Sequence, residues 1–313
     1  MNRMRIAIYK DTLGNRRGAD NAVIALAEGL RERGHDAVLF ERPELAARLA
    51  ERWDVVVSAG TNELLDLAGY GGAPVVQQFH TNPKSQFKRK RLLRNWRIRR
   101  ALGRVAAIQV LRGDFAGQVS KFCPRVVAIG NWSEWEGRAQ AACAVSKSIV
   151  YPAAFGKGKN QRLAVDAFAA LSKEFPGWSL ELYGGGAPDF PLPCGVRHMG
   201  YRDLGPVYAS CAFVAFPSLD EGFPLTLVDA AAFGKPAVTV RDWIGAAAAG
   251  GGIVARPAAD DFAAGMRRLM EDPALLASAG DAARRFCAAE YSRSRLLDAW
   301  EGLLSDVAKK EGL

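Results

Sequence analysis

Five cysteines, Cys123, Cys143, Cys194, Cys211 and Cys287, are all that the 313 residues contain, an odd number without a C-x-x-C pair. That spacing supports neither a disulfide framework nor a cysteine zinc site, and it points to a reducing compartment. No apolar run reaches the roughly 18 residues of a membrane-spanning helix, and the opening MNRMRIAIYKD is too short in apolar residues for a signal peptide, so a cytoplasmic protein is expected. A D-x-D motif and a His/Cys/Asp ligand cluster are also missing, so no metal is expected. So is G-x-G-x-x-G, which removes the dinucleotide fingerprint, and no internal repeat is present. Acid is missing too where the bases crowd. Between Thr81 and Gly113 stand eleven Lys or Arg and no Asp or Glu, while the rest of the chain carries 31 bases against 33 acids, so this segment holds the whole net charge of +9.

What is present is ordinary for two globular domains: 49% hydrophobic and 24% charged residues. The most informative stretch is Cys211 to Val240. Ala212 to Phe216 reads as a buried parallel strand ended by Pro217-Ser218, and Leu225 to Phe233 as a short helix stopped by Gly234-Lys235-Pro236 before the strand Ala237 to Val240. The intervening loop, Asp220 to Pro224, lies at the carboxyl end of a strand and at a helix N-terminus. Open α/β sheets bind ligands there, and free N–H groups receive anions there. Glu221 and Asp229, eight residues apart, can both accept from hydroxyls along one ligand. Hydroxyls beside a diphosphate are the chemistry of a sugar nucleotide.

The combination Pro217-Ser218, Glu221-Gly222-Phe223-Pro224, Leu227 to Ala230 and Gly234-Lys235-Pro236 resembles the E-x7-E region of retaining GT-B glycosyltransferases, family 4 in particular. The resemblance implies two Rossmann-like α/β domains facing across a cleft. It assigns Glu221 to the donor sugar, the amides of Gly222, Phe223, Pro224 and Leu225 to sugar and diphosphate, and Asp229, standing for the family's second glutamate, to the ribose. Lys159 resembles the phosphate lysine of the G-R-x4-K-G element, whose arginine position is occupied by Ala154; Arg162 or Arg202 is the expected substitute. Gly184 resembles the glycine turn under the nucleotide, and Tyr201 with Arg202 the loop bordering the base.

Earlier in the chain, Arg5 to Tyr9 reads as a strand followed by the turn Lys10 to Ala19, whose Gly18 opens a helix N-terminus able to receive phosphate. His35 reads as a turn residue closing that helix. Trp53 to Ser58 and Pro74 to Phe79 are further strands, the latter ending at His80, which resembles the family's donor-facing histidine. The basic run Lys84 to Arg104 places Leu92, Leu93 and Trp96 on one side of a helix and Phe87, Ile98 and Leu102 on the other, with a break expected near Asn95. Its cations want an anionic partner: the inner membrane surface with a lipid-linked or anionic glycan acceptor, in preference to nucleic acid.

The expected division is an N-terminal acceptor-side domain over 1–140, with its linker at Glu134 to Ala139, a nucleotide-sugar domain over 141–292, and a last helix, 293–313, packed back on the first domain. The resemblance implies a hexosyl transferase that retains configuration, takes a nucleotide sugar as substrate, uses no further cofactor and serves polysaccharide, lipopolysaccharide or glycoconjugate synthesis, cytoplasmic and peripheral at the membrane. A catalytically silent nucleotide-sugar-binding subunit and a GT-B-fold epimerase are the competing readings.

Overall fold

The computed structural model describes residues 3–14, 18–87, 90–137 and 146–310. Its contacts divide the chain into two units, one running to Asn131 and resuming at Ser294, the other Trp132–Arg293.

The first unit is built on a parallel sheet of β1 (Arg5–Tyr9), β2 (Asp36–Phe40), β3 (Val55–Ser58), β4 (Val75–Gln78), β5 (Ala107–Val110) and β6 (Val126–Ala128), in the order β2-β1-β3-β4-β5-β6. Every residue of β3 and β5 is buried, as expected of strands covered on both faces; β3 reads as an apolar run over Val55 to Val57, whereas β5 buries Gln109 among its apolar residues. The sheet order reverses between β1 and β3. α1 (Gly18–Glu32) follows β1, α2 (Leu45–Leu49) follows β2, and α3 (Thr61–Asp66) follows β3. α4 (Leu92–Leu102) and α5 (Ala116–Val119) follow β4 and β5.

The last helix, numbered α11 in chain order (Arg293–Lys310), buries Leu296, Leu297, Trp300, Leu303 and Leu304 in this unit. It lies so close to α1 that a Cβ on Gly29 would stand 2.7 Å from Leu297. His35 is a packing residue here, not a reagent. Its Nδ1 accepts from the Met4 N–H at 3.2 Å, so Nε2 carries the proton and faces Glu301 at 2.9 Å; Arg33 binds the same glutamate.

α4 corrects one expectation, for it runs unbroken through Asn95, which is buried. The two apolar clusters need no break because they do different work: Ile98, Ala101 and Leu102 enter the core, whereas Leu92, Leu93 and Trp96 are 77%, 72% and 56% exposed. Of the basic run, Lys88 and Arg89 lie outside the described residues.

The second unit holds β7 (Ser148–Pro152), β8 (Ser179–Tyr183), β9 (Val196–Gly200), β10 (Phe213–Phe216), β11 (Ala237–Thr239) and β12 (Gly252–Val254), all parallel, in the order β12-β11-β10-β7-β8-β9. Counted from β7 this is the 3-2-1-4-5-6 order of a doubly wound sheet, reversing between β7 and β10. Its helices are α6 (Gln161–Leu171), α7 (Gly205–Ser210), α8 (Leu225–Ala232), α9 (Ala259–Glu271) and α10 (Pro273–Glu290). α10 is started by Asp272, whose carboxylate accepts from the N–H groups of Ala274 and Leu275 at 2.9 Å. Residues 134–137, expected as linker, sit with this unit, where Trp135 packs on Phe233 with ring centroids 5.9 Å apart. The expected boundary at 140 falls among residues 138–145, outside those described.

Candidate functional site

Ligands of doubly wound sheets bind beyond the carboxyl ends of the strands that flank the reversal. In the second unit those strands are β7 and β10, and the loops leaving them are laced together. The Leu219 N–H donates to the Gly158 carbonyl at 2.8 Å, and Asn160, left-handed at φ 55° as it enters α6, donates from Nδ2 to the Pro217 carbonyl at 3.4 Å. Tyr151, fully buried on β7, donates its hydroxyl to the Lys159 carbonyl at 2.5 Å and stands 3.0 Å from the Ser218 hydroxyl. Burial pushes its phenol well above the ordinary range, so it stays a neutral donor.

Held this way, Lys159 Nζ meets Glu221 Oε1 at 2.6 Å. The glutamate side chain is nearly enclosed at 9% exposure and the lysine is one-third exposed. A half-open ammonium beside a nearly buried carboxylate can turn toward a bound anion without stranding a buried charge of its own.

The turn into α8 offers fewer amides than the resemblance implied. Pro224 has no N–H, and the Leu225 N–H is taken by the Phe223 carbonyl at 3.0 Å. The donors it brings to a ligand narrow to Gly222 and Phe223. The Phe223 ring is itself an anchor, edge-on to Tyr291 at 5.6 Å.

Asp229 sits on α8 with Oδ1 buried and without a hydrogen-bond partner among the described residues. Burial, with a smaller contribution from Glu134, pushes its carboxyl up to about 7, against a hydrogen bond from Ser133 that pulls it down. An orphaned buried carboxyl oxygen costs stability unless a ligand hydroxyl meets it.

Gly184 follows β8 with φ 129°, and a Cβ there would lie 2.6 Å from the Ala153 carbonyl. The glycine lets this turn lie on the β7 loop, where the Phe155 N–H donates to Gly185 at 2.9 Å and the Phe155 ring meets His198 edge-on at 5.0 Å. Tyr201 and Arg202 lie instead beyond β9, the edge strand. Tyr201 is 90% exposed, and Arg202 donates to the Met199 carbonyl at 3.0 Å. Arg162 does not turn into the Ala154 position either, since it pairs with Asp166 at 2.8 Å and lies over Phe190.

The first unit has its own site at the reversal between β1 and β3. Lys10 Nζ meets Glu63 Oε1 at 2.6 Å and Asp11 Oδ1 at 2.9 Å. Beside them His80, at the end of β4, lines a cavity of about 200 Å³ with Gln78, Thr81 and Arg94. Neither ring nitrogen of His80 has a hydrogen-bond partner among the described residues. Burial, then the Lys10 charge, lowers it to about 4, so the ring is neutral and can both donate to and accept from hydroxyls. Gly18 is exposed at the first turn of α1, with open space where a Cβ would stand; the turn residues 15–17 before it lie outside those described.

Sequence reasoning missed Tyr151, Ser218 as its partner, Asn160 and the Lys10–Glu63 pair. A tyrosine closing a buried strand two residues after Ile149 was the available signal for the first. Among the described residues no three His, Cys, Asp or Glu side chains are grouped to hold a metal ion, and no helix is long and apolar enough to cross a membrane. The buried thiols of Cys211 and Cys287 are pushed up to about 12 by burial; Cys143 lies outside the described residues.

Residues 146–272 match the family model described as Glycosyl transferases group 1. Over 208 residues the chain is 30% identical to an exopolysaccharide phosphotransferase of Streptomyces coelicolor, which covers 61% of this chain and 22% of that protein. Over 149 residues it is 24% identical to an uncharacterized glycosyltransferase of Haemophilus influenzae, covering 43% and 42%. The chain thus spans about a fifth and about two fifths of these relatives. Two solved structures are similar over 97% of its length. HepE of Anabaena, solved with UDP and glucose, has a TM-score of 0.79 at 17% identity and is covered whole. Sucrose-phosphate synthase of Thermosynechococcus elongatus has 0.74 at 16% and is covered to 99%. The fold is GT-B.

Proposed function

We propose that this chain moves a sugar from a nucleotide-sugar donor to an acceptor hydroxyl, with retention of configuration and without a metal, as a family 4 type hexosyltransferase. The observation that carries the reading is the Lys159–Glu221 pair, 2.6 Å apart over the reversal of the second sheet. Glycosyl transfer builds negative charge on the departing diphosphate, and a positioned cation and amides stabilise that charge most where water is excluded. Lys159 and the Gly222 and Phe223 amides are suited to it. Glu221, released from the lysine, accepts from sugar hydroxyls, and Asp229 from the ribose. In the first unit the neutral His80 ring meets sugar hydroxyls.

The match of residues 146–272 to a glycosyltransferase model and the UDP in the HepE structure support this reading. A lipid-linked or anionic glycan acceptor at the cytoplasmic face of the inner membrane, reached through residues 84–104, fits the cationic exposed face of α4. The name of the Streptomyces relative supports a place in polysaccharide synthesis. Ala154, at the position where the family carries an arginine, favours the competing silent binding subunit.

One experiment separates them. UDP, GDP and ADP sugars are screened by thermal shift, because a ligand bound only by the folded state raises Tm. The donor found is then incubated with membrane extract and chelator, and the anomeric configuration of the product is read by NMR. A Tm shift with labelled product of retained configuration is expected. A shift with no product under any acceptor supply would leave only the binding subunit, and free epimerised sugar nucleotide would make it an epimerase.

A further inference from the structure

The exposed side of α4 holds Leu92, Leu93 and Trp96 together with Arg97, Arg99 and Arg100. At 100° per residue these fall within one half of the helix circumference, opposite Ile98 and Ala101 in the core. Apolar and cationic groups on one exposed face, with a tryptophan among them, are what a helix lying in a membrane interface presents. A second copy of this chain is a poor occupant, since it would bring the same cations against these. Nucleic acid does not call for three exposed aliphatic and indole groups between the charges.

Under the C-terminal half of this face lies a cavity of about 410 Å³, between α4 and the end of α3 with the turn after it. Its floor is Leu64, Leu67 and Ala101, and its cationic side is Arg97 and Arg100, one turn apart on α4, with Arg104 in the turn that follows the helix. No acidic residue lines it. Trp96 belongs both to the exposed patch and to the cavity wall, with Arg100 over its ring at 5.7 Å. Tyr70, also in the wall, has a buried hydroxyl without a hydrogen-bond partner among the described residues. The cavity sits toward the amino ends of the strands, beside Val75 and Val105, whereas the His80 cavity is at their carboxyl ends. It is therefore not where an acceptor hydroxyl would react.

From this we infer that the α3–α4 cavity seats the headgroup and upper chain of one anionic phospholipid of a bilayer, while Leu92, Leu93 and Trp96 enter the interface around it. The inference deepens the proposal that residues 84–104 face a membrane, and it rests on that reading. It is independent of sugar transfer.

The test uses the full chain. Sedimentation with phosphatidylcholine vesicles, with and without phosphatidylglycerol, reads the surface. Calorimetry with monomeric dihexanoyl phosphatidylglycerol, against dihexanoyl phosphatidylcholine and inorganic phosphate, reads the cavity. Binding to anionic vesicles and to the short-chain anionic lipid only is expected. Replacing Arg97, Arg100 and Arg104 by Gln lowers vesicle partition by about a hundredfold, at about a fivefold loss per cation near an anionic surface. Ala68→Trp, at an exposed position on the cavity rim, abolishes short-chain binding, keeps Tm and keeps most vesicle binding. If vesicles bind but the short-chain lipid does not, or binds Ala68→Trp equally, the cavity assignment is overturned and the membrane surface reading survives. If neither binds while single-stranded nucleic acid does, both fall. None of these outcomes bears on whether nucleotide sugars bind.

Discussion

Each unit carries a lysine and a glutamate 2.6 Å apart at the point where its sheet reverses, Lys10–Glu63 in the first and Lys159–Glu221 in the second, and the two pairs are suited to different tasks. In the first, the side chains are 15% and 3% exposed and Asp11 is a second partner for the lysine. Burial alone would lower the Lys10 ammonium, but its bonds to Glu63 and Asp11 outweigh that and raise it, so the charge is fixed in place. In the second, the lysine is 33% exposed and the glutamate 9%. One pair closes a loop against a helix; the other leaves a cation facing the solvent that a ligand would displace. The same location in two similar sheets does not make the same site, and exposure of the cation is what separates them.

That contrast breaks most visibly in the first unit. Glu63→Ala leaves Lys10 buried with Asp11 alone, and removing one partner of a buried pair costs about 3 kcal/mol. For a unit of this size that lowers Tm by roughly 6 to 12 °C in calorimetry. Nucleotide-sugar affinity, measured below the transition, should be unchanged. A variant that melts like wild type but loses the ligand would move the donor site to the first unit and reverse the comparison.

Lys159→Ala is the opposite case. A pair with a one-third exposed lysine is better screened than the buried one, so Tm should fall by less than in Glu63→Ala. Turnover should fall by roughly 100- to 1000-fold, the loss seen when one donor to a developing anion is removed. Tyr151→Phe, which leaves the Lys159 carbonyl and the Ser218 hydroxyl without their shared partner, should lose less activity than Lys159→Ala and cost about 1–3 kcal/mol of stability. Equal stability losses in Lys159→Ala and Glu63→Ala would erase the distinction between the pairs.

The sequence disclosed the open site and concealed the closed one for a physical reason. Glu221 stands between a strand-ending Pro217-Ser218 and Gly222, residues whose backbone demands mark a loop, and Asp229 follows at a helical interval. Glu63 stands in TNELLD, an ordinary first turn whose partner is a distant lysine, and nothing local shows that its side chain is buried. β3 was legible because a parallel strand buried on both faces runs in β-branched residues, here Val55 to Val57. The helices α9, α10 and α11 were legible through Asp272-Pro273 and the apolar stripe of 296–304. The role of α4 was not, because periodicity gives two faces and only the packing of Ile98 and Leu102 says which of them is inside. Pro224 and Leu225 were over-read, since a motif does not show which amides the turn has already used.

Asp229 sharpens the comparison by titration, with the smallest effect. Its carboxyl is raised from 3.8 to about 7 by burial, so the stabilising contribution is complete below about pH 4 and is lost as pH rises through about 7. Wild type should therefore lose Tm between pH 5 and pH 8 relative to Asp229→Asn, which has no proton to release. If ribose hydroxyls donate to this side chain, its ionised form is the better acceptor, and nucleotide affinity should climb with pH until about 7 and then level. Calorimetric titrations of the donor across that range, on wild type and on Asp229→Asn, carry the test. Parallel pH curves for the two proteins would show that the carboxyl does not touch the ligand, and the second site would then consist of the Lys159–Glu221 pair and its turn without a ribose contact.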